Sequence, residues 1–303
     1  MPSEAEHRQP APPSQERLPQ GCPWWRLCCR KPLGAISGLL LCGLMAVACL
    51  APALAPYDPY RFNLNVDGVP VRRQAPNARF VFGTDAQGRD VLSRMIYGTR
   101  VSFLVGVVAV AIGTGCGILI GLVAGCWEGK VDQGLQCLTA TLMAVPGLVL
   151  ALVVLCVLGQ HVANVILALG LSIALGASLV VRGAVLMVKH SSYIDAALAA
   201  GASSWRILWR HILPQVCVSL VALASAWLSQ AIVLEATLSF LGFGIPPPIP
   251  TWGGMLSGAG RRGLETAPHL ALLPGLALSL VMLALHLFGR TIRDLLKPRL
   301  RLH

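Results

Sequence analysis

The sequence predicts an all-α, polytopic membrane protein with six transmembrane helices, and three observations carry that prediction. Hydrophobic residues fill 55% of the 303 positions and charged residues only 12%, roughly half the charged share of a soluble domain. The apolar residues gather into six runs, each near the ~20 residues that a helix needs to cross a bilayer. The net charge of +11 lies mainly beside those runs, where Lys and Arg anchor topology and meet anionic lipid. Nucleic acid is therefore not an expected partner.

Residues 1–32 form the first region: a tail rich in Pro, Gln, Glu and Ser, expected to be disordered, closed by the interfacial anchor Trp24, Trp25, Arg26, Arg30 and Lys31. Residues 33–100 hold the first span, Leu33 to Leu54, and a polar segment on the opposite side of the membrane. The end of that segment reads as a short amphipathic helix lying along the membrane surface. Val91, Leu92, Met95 and Ile96 share its apolar face, and Asp90 and Arg94 are spaced as an i,i+4 pair.

Residues 101–289 carry five more spans. In the second, Val101 to Trp127, Gly113, Gly117, Gly121 and Gly125 recur every fourth residue. They make a side chain-free stripe against which a neighbouring helix can pack closely. The third span, Leu135 to Leu158, contains Pro146 and is expected to kink there. A turn at Gly159-Gln160-His161 leads to the fourth, Ala163 to Val181, closed by Arg182 as a snorkelling anchor and by Lys189. The fifth is Val216 to Leu234 and the sixth His269 to Gly289. Between these two, the proline-rich loop from Ser239 to Met255 is expected to be extended. Residues 290–303 form a basic tail.

Six spans put both termini on one side. That arrangement places 15 of the 24 Lys and Arg on the terminal side and 9 opposite, which favours cytoplasmic termini. The seven arginines of the first outer segment pull the other way.

Residues 193–215, between the fourth and fifth spans, are too polar to cross the membrane and too patterned for a slack loop. Asp195 to Ala200 suits one helical piece, and Ser203 is an N-cap for a second, from Ser204 to Ile212. Gly201 permits a tight turn between them. Leu213-Pro214 is expected to stop the second piece and start the fifth span. The second piece offers Trp205, Ile207, Leu208 and Trp209 as anchors beside Arg206 and Arg210, a composition suited to docking.

Site chemistry within the chain is sparse. No G-x-x-x-x-G-K-[ST] occurs, since Gly129-Lys130 is followed by Val131, so the chain binds no ATP of its own. Neither H-E-x-x-H nor G-x-S-x-G is present, which argues against an intramembrane enzyme. The 10 cysteines form no CxxC pair and read as small apolar packing residues. His286 has no second His or carboxylate at i±3 or i±4, so it reads as a packed histidine and no metal site is expected. Gln230 and Glu235 in the fifth span are candidate translocation-pathway residues. For Glu235, an interhelical hydrogen-bonding role is equally open.

The segment Asp195-Ala196-Ala197-x₃-Gly201-x₉-His211-x-Leu213-Pro214 resembles the E-A-A-x₃-G-x₉-I-x-L-P signature of membrane subunits of binding-protein-dependent ABC importers. Asp stands in place of Glu, and His in place of Ile. Two further blocks, F-G-T-D-A-Q-G-R-D-V-L-S-R from Phe82 and L-S-F-L-G-F-G-I-P-P-P-I-P-T-W-G-G-M from Leu238, are similar to the C-type permeases of dipeptide, oligopeptide and nickel importers. The resemblance implies a type I ABC importer permease fold in the bacterial inner membrane, carrying di- or oligopeptides. It implies a homologous second permease, two cytoplasmic ATPases that bind ATP and Mg, and an outer substrate-binding protein. It also implies an ATPase-coupling role for Asp195, Ala196, Ala197, Gly201, Trp205 and Arg206, with Leu213 and Pro214 as the hinge. The alternatives are a permease for nickel or another small solute and, from a different class, an ion-coupled secondary transporter. The second needs mid-membrane charges that this chain scarcely has.

Overall fold

The computed structural model describes residues 32–63, 71–127, 129–257 and 267–300. The expected disordered tail, its aromatic and basic anchor, and Cys22, Cys28 and Cys29 lie outside these. The described residues form helices α1 (Pro32–Cys49), α2 (Ala51–Leu54), α3 (Val91–Cys126), α4 (Lys130–Ala144), α5 (Gly147–Leu158), α6 (Val162–Lys189), α7 (Ser192–Ala199), α8 (Ser204–Ile207), α9 (Leu213–Leu241), α10 (Trp252–Leu256) and α11 (His269–Leu300), with a π-helical turn, Leu208–Ile212, between α8 and α9. α11 continues past Gly289, so the basic tail through Leu300 is helical.

α3 and α6 form the most extensive helix pair. A Cβ added to Gly113 would lie 2.7 Å from Ile173 Cβ, and one on Gly117 2.5 Å from Ala177 Cβ. One on Gly121 would lie 2.6 Å from Val181 Cβ, and one on Gly125 2.7 Å from Val185 Cβ. All four partners are buried. Because both series rise together at a constant offset, α3 and α6 are parallel and in register. At ~1.5 Å per residue, the 28 residues of α6 are about 42 Å long, more than the ~30 Å hydrocarbon core.

A parallel pair requires the chain between them to return across the membrane. α4 and α5 make that crossing, although they are bent by 94° at the break. The third span is therefore two helices rather than one kinked helix. Pro146 is the cap residue at the break, with extended ψ at both Val145 and Pro146. Its ring forces the preceding residue out of the helical region. With α1, α3, α6, α9 and α11, this gives up to six crossings among the described residues, and in that count the segment 190–212 shares a side with the start of α1 and the end of α11.

Residues 55–63 and 71–90 lie at the opposite face, and here two expectations are corrected. There is no separate surface helix, because α3 runs unbroken from Val91 through the boundary at residue 100. The polar face of its first turns is satisfied by protein rather than by water. Nor do Asp90 and Arg94 pair through their side chains. The Asp90 carboxylate caps the helix, accepting from Ser93 N–H at 2.8 Å and Ser93 Oγ at 2.6 Å. Arg94 turns outward to Asp85, 3.6 Å away, and donates to the Pro59 carbonyl at 3.0 Å. Asp85 also accepts from the backbone N–H groups of Gln87 and Arg89 and from Arg89 Nε.

The loop after α9 folds back instead of running extended, with a turn at Pro247-Pro248. Thr251 caps α10 by accepting from Gly254 N–H. Trp252, 1% exposed, donates its indole N–H to the Met95 carbonyl and sits edge-on to Phe103. Gly98 leaves room for the indole, since a Cβ there would lie 3.1 Å from Trp252 Cδ1.

Among the described residues, Cys42, Cys49, Cys116, Cys137, Cys156 and Cys217 are exposed rather than packed, whereas Cys126 is half-buried and packs against an apolar cluster as expected; all seven have free thiols.

Candidate functional site

The elbow is built by local backbone chemistry. α7 ends at Ala199, and Gly201 follows at φ +82°, in the left-handed region that glycine enters without a Cβ penalty. The Ala202 N–H then donates to the Ala197 carbonyl at 3.0 Å, the six-to-one bond of a Schellman ending. Ser203, the next residue, caps α8. Its carbonyl accepts from Ile207 N–H at 3.0 Å, and its hydroxyl from Arg206 N–H at 3.4 Å. The corner therefore closes through its own caps.

Beyond α8 the structure corrects the expected stop at Leu213-Pro214. The chain passes from α8 through the π turn into α9 as one continuous helical rod, Trp205–Leu241. A proline inside an α-helix removes one N–H and its ring presses on the carbonyl four residues earlier. The Leu213 N–H here reaches back five residues to the Leu208 carbonyl, and that wider turn accommodates Pro214. The bend of the elbow is thus at Gly201, with no second break at Leu213-Pro214.

The side chains divide into two sets. Ile194, Ile207 and Ile212 are buried, and they join Val181, Val185 and Val188 of α6 and Val216 and Leu220 of α9 in one apolar cluster. Leu208 packs against the same cluster. Ile207 and Leu208 are thus internal fasteners and not docking anchors. Trp205 and Trp209 are 68% and 53% exposed, with ring centroids 5.5 Å apart at 65°. Asp195, Gly201, Arg206, Arg210 and Pro214 are exposed, while Ala197 and Leu213 are half-buried. Ala196 lies in α7. Tyr193 meets His211 at 5.8 Å, tying α7 to the π turn. The result is a rigid corner, fastened to α6 and α9, that shows an aromatic and basic face.

The two candidate pathway residues are not brought together. Gln230 is exposed. Glu235 is fully buried; its carboxylate accepts from Ser239 Oγ at 2.7 Å and Ser102 Oγ at 3.4 Å, with the Thr251 hydroxyl also against it. It joins α3, α9 and the loop before α10, which is the interhelical role. His286 is exposed rather than packed. Its Nδ1 lies 2.9 Å from the Met282 carbonyl and 3.2 Å from Ser229 Oγ.

Sequence reasoning missed the partner of Arg182. Its Nε and Nη2 donate to Asp132 Oδ1 and Oδ2, both at 2.6 Å, so it is half of a forked ion pair and not a lipid anchor. The two residues lie 50 positions apart, and no local pattern links them. On the face opposite the elbow, a cavity of about 300 Å³ is lined by Asp85, Arg89, Arg94, Gln160, Ser239 and Ile245 among others. Its arginines already pair with Asp85.

Comparisons with known proteins point one way. Residues 117–302 match the family model described as "Binding-protein-dependent transport system inner membrane component". The chain is 38% identical over 282 residues to a glutathione transport system permease protein GsiD of Pectobacterium atrosepticum, covering 92% of each chain. It is 38% identical over 286 residues to the GsiD of Escherichia coli, covering 92% of this chain and 91% of the relative. Among solved structures, an inward-facing form of the MetNI methionine ABC transporter matches with a TM-score of 0.51 and 16% identity, over 68% of this chain and 95% of that one. At that identity the likeness speaks to the fold.

Proposed function

We propose that this chain, which belongs to the family of binding-protein-dependent transport system inner membrane components, imports di- or oligopeptides as the permease subunit of an ABC importer. The permease role follows from the family. The peptide cargo is favoured over nickel because the GsiD relatives are named for transport of glutathione, a tripeptide. An ion-coupled carrier is set aside by family membership.

The observation that carries the mechanism is the elbow. A docking element must offer a face to its partner while being fixed to the helices it moves. The exposed Trp205, Trp209, Arg206 and Arg210 supply the face, and the buried Ile194, Ile207 and Ile212 supply the fixing. In this reading both termini and the elbow are cytoplasmic, and α8 with the π turn seats in a cleft of an ATPase subunit. Asp195, Ala196, Ala197 and Gly201 hold the angle. ATP and Mg bind to two such ATPases, so hydrolysis resides outside this chain. A homologous second permease completes the pore, and an outer binding protein delivers the peptide. Closure of the ATPases turns the elbow, and with it the inner ends of α6 and α9, between two packed arrangements.

The test is uptake of labelled dipeptide or glutathione into proteoliposomes holding the complete transporter. Uptake should require ATP and the ATPase subunits and survive a proton uncoupler. Uptake abolished by the uncoupler alone would overturn the reading.

A further inference from the structure

We infer that the Asp132–Arg182 ion pair is the link through which the elbow moves the broken span. This rests on the proposed coupling role of the elbow and adds the residues that transmit it. The argument begins with how poorly α4 is held. Of its 15 residues only Asp132 and Thr139 are buried, and Val131, Leu138 and Met143 are 50%, 58% and 47% exposed. Packing within the subunit therefore does little to fix α4. It is also bounded by two interruptions of the helical hydrogen-bond ladder: Gly129 at φ +94° before it, and the 94° break at Val145-Pro146 after it.

Arg182 stands on firmer ground. It lies on α6 between Val181 and Val185, both fully buried in the cluster that also holds Ile194, Ile207 and Ile212 of the elbow. The last two turns of α6 and the elbow are thus one packed body. The pair that joins this body to α4 has two parallel N–H···O bonds of 2.6 Å each. The guanidinium fork fixes direction as well as distance, which a single point charge does not. Side-chain exposures of 29% for Arg182 and 12% for Asp132 keep the pair largely out of water, so screening weakens it less than a surface pair. When the elbow turns, α4 follows through Asp132 and changes its angle at the break against α5, whose Ala151 and Leu155 are buried beside α6. Both residues are positioning residues and neither needs to touch the cargo.

The experiment uses the complete transporter in proteoliposomes and reads peptide taken up per ATP hydrolysed, with co-purification of the ATPase subunits measured alongside. Asp132→Asn and Arg182→Gln should each retain the ATPases and hydrolyse ATP, while uptake per ATP falls about tenfold, a usual size for coupling between sites. The exchange variant, Asp132→Arg with Arg182→Asp, should recover most of that loss. Arg182→Lys keeps the charge and loses the fork; it should give an intermediate value, and it serves as the reading if the neutral variants do not insert. Wild-type coupling in the single variants, or in Arg182→Lys, would overturn the inference, as would an exchange variant no better than the singles. Failure of the underlying reading looks different: the unmutated transporter itself would show no ATP-dependent uptake.

Discussion

The α3–α6 seam and helix α4 belong to the same bundle, yet they are built on opposite principles. Along the seam, four glycines meet four buried side chains at separations that leave no room for a Cβ. In α4, two residues of 15 are buried and an added Cβ at Gly134 would meet nothing within 4 Å. One region is close-packed enough that a methyl group must displace it, whereas the other has few buried side chains to hold it. The contrast divides the subunit into a spine that carries force and an arm that can respond to it. Bistable motion needs both.

Four measurements sharpen or break this division. The largest effect is expected at Gly117→Val, where the new side chain would run into Ala177 Cβ at 2.5 Å and the Ala174 carbonyl at 3.0 Å. Destabilisation of about 3 kcal/mol should appear as a lower melting temperature of the detergent-purified subunit. Gly201→Val comes next: a Cβ there meets nothing within 4 Å, so the cost is the left-handed backbone alone, about 1–2 kcal/mol. It should leave membrane insertion intact while uncoupling uptake from ATP hydrolysis. Normal coupling would mean that the angle of the elbow is immaterial. Trp205→Ala should change stability by less than about 0.5 kcal/mol, because the indole is mostly exposed, yet weaken capture of the ATPase in a pull-down. Smallest of all, Gly134→Ala in the arm should be neutral or slightly stabilising, up to about 1 kcal/mol. If it proved as damaging as Gly117→Val, the arm would be packed as tightly as the spine, and the division would fall.

These regions also differ in how much of them the sequence disclosed. The glycine stripe was legible because a spacing of four places residues on one helix face, although nothing local named α6 as the neighbour. The corner of the elbow was legible at Gly201 and Ser203, since turn and cap chemistry are local. Its continuation was not. Pro214 signals a stop, but a wider turn at Leu208–Ile212 absorbs it, and hydrogen-bond register leaves no mark in residue order. The start of α3 misled for a different reason. Its amphipathic pattern suits a water-facing surface, while Arg94 is held by Asp85 in the preceding loop and by the Pro59 carbonyl, 35 residues away. The Asp132–Arg182 pair and the Ser102–Glu235–Ser239 junction bridge separations of 50 and 133 residues. Only the fold brings such partners together.

The parallel register of α3 and α6 also bears on biogenesis. Antiparallel neighbours can pair as a hairpin as soon as the second has been made. A parallel pair cannot, because the intervening crossing must be threaded first. When α3 enters the bilayer during synthesis, its glycine face has no partner until residues 127–161 have followed and α6 has begun to emerge. A chain halted before Val162 would leave Gly113, Gly117, Gly121 and Gly125 turned toward lipid. A stripe of that kind invites other helices to pack on it.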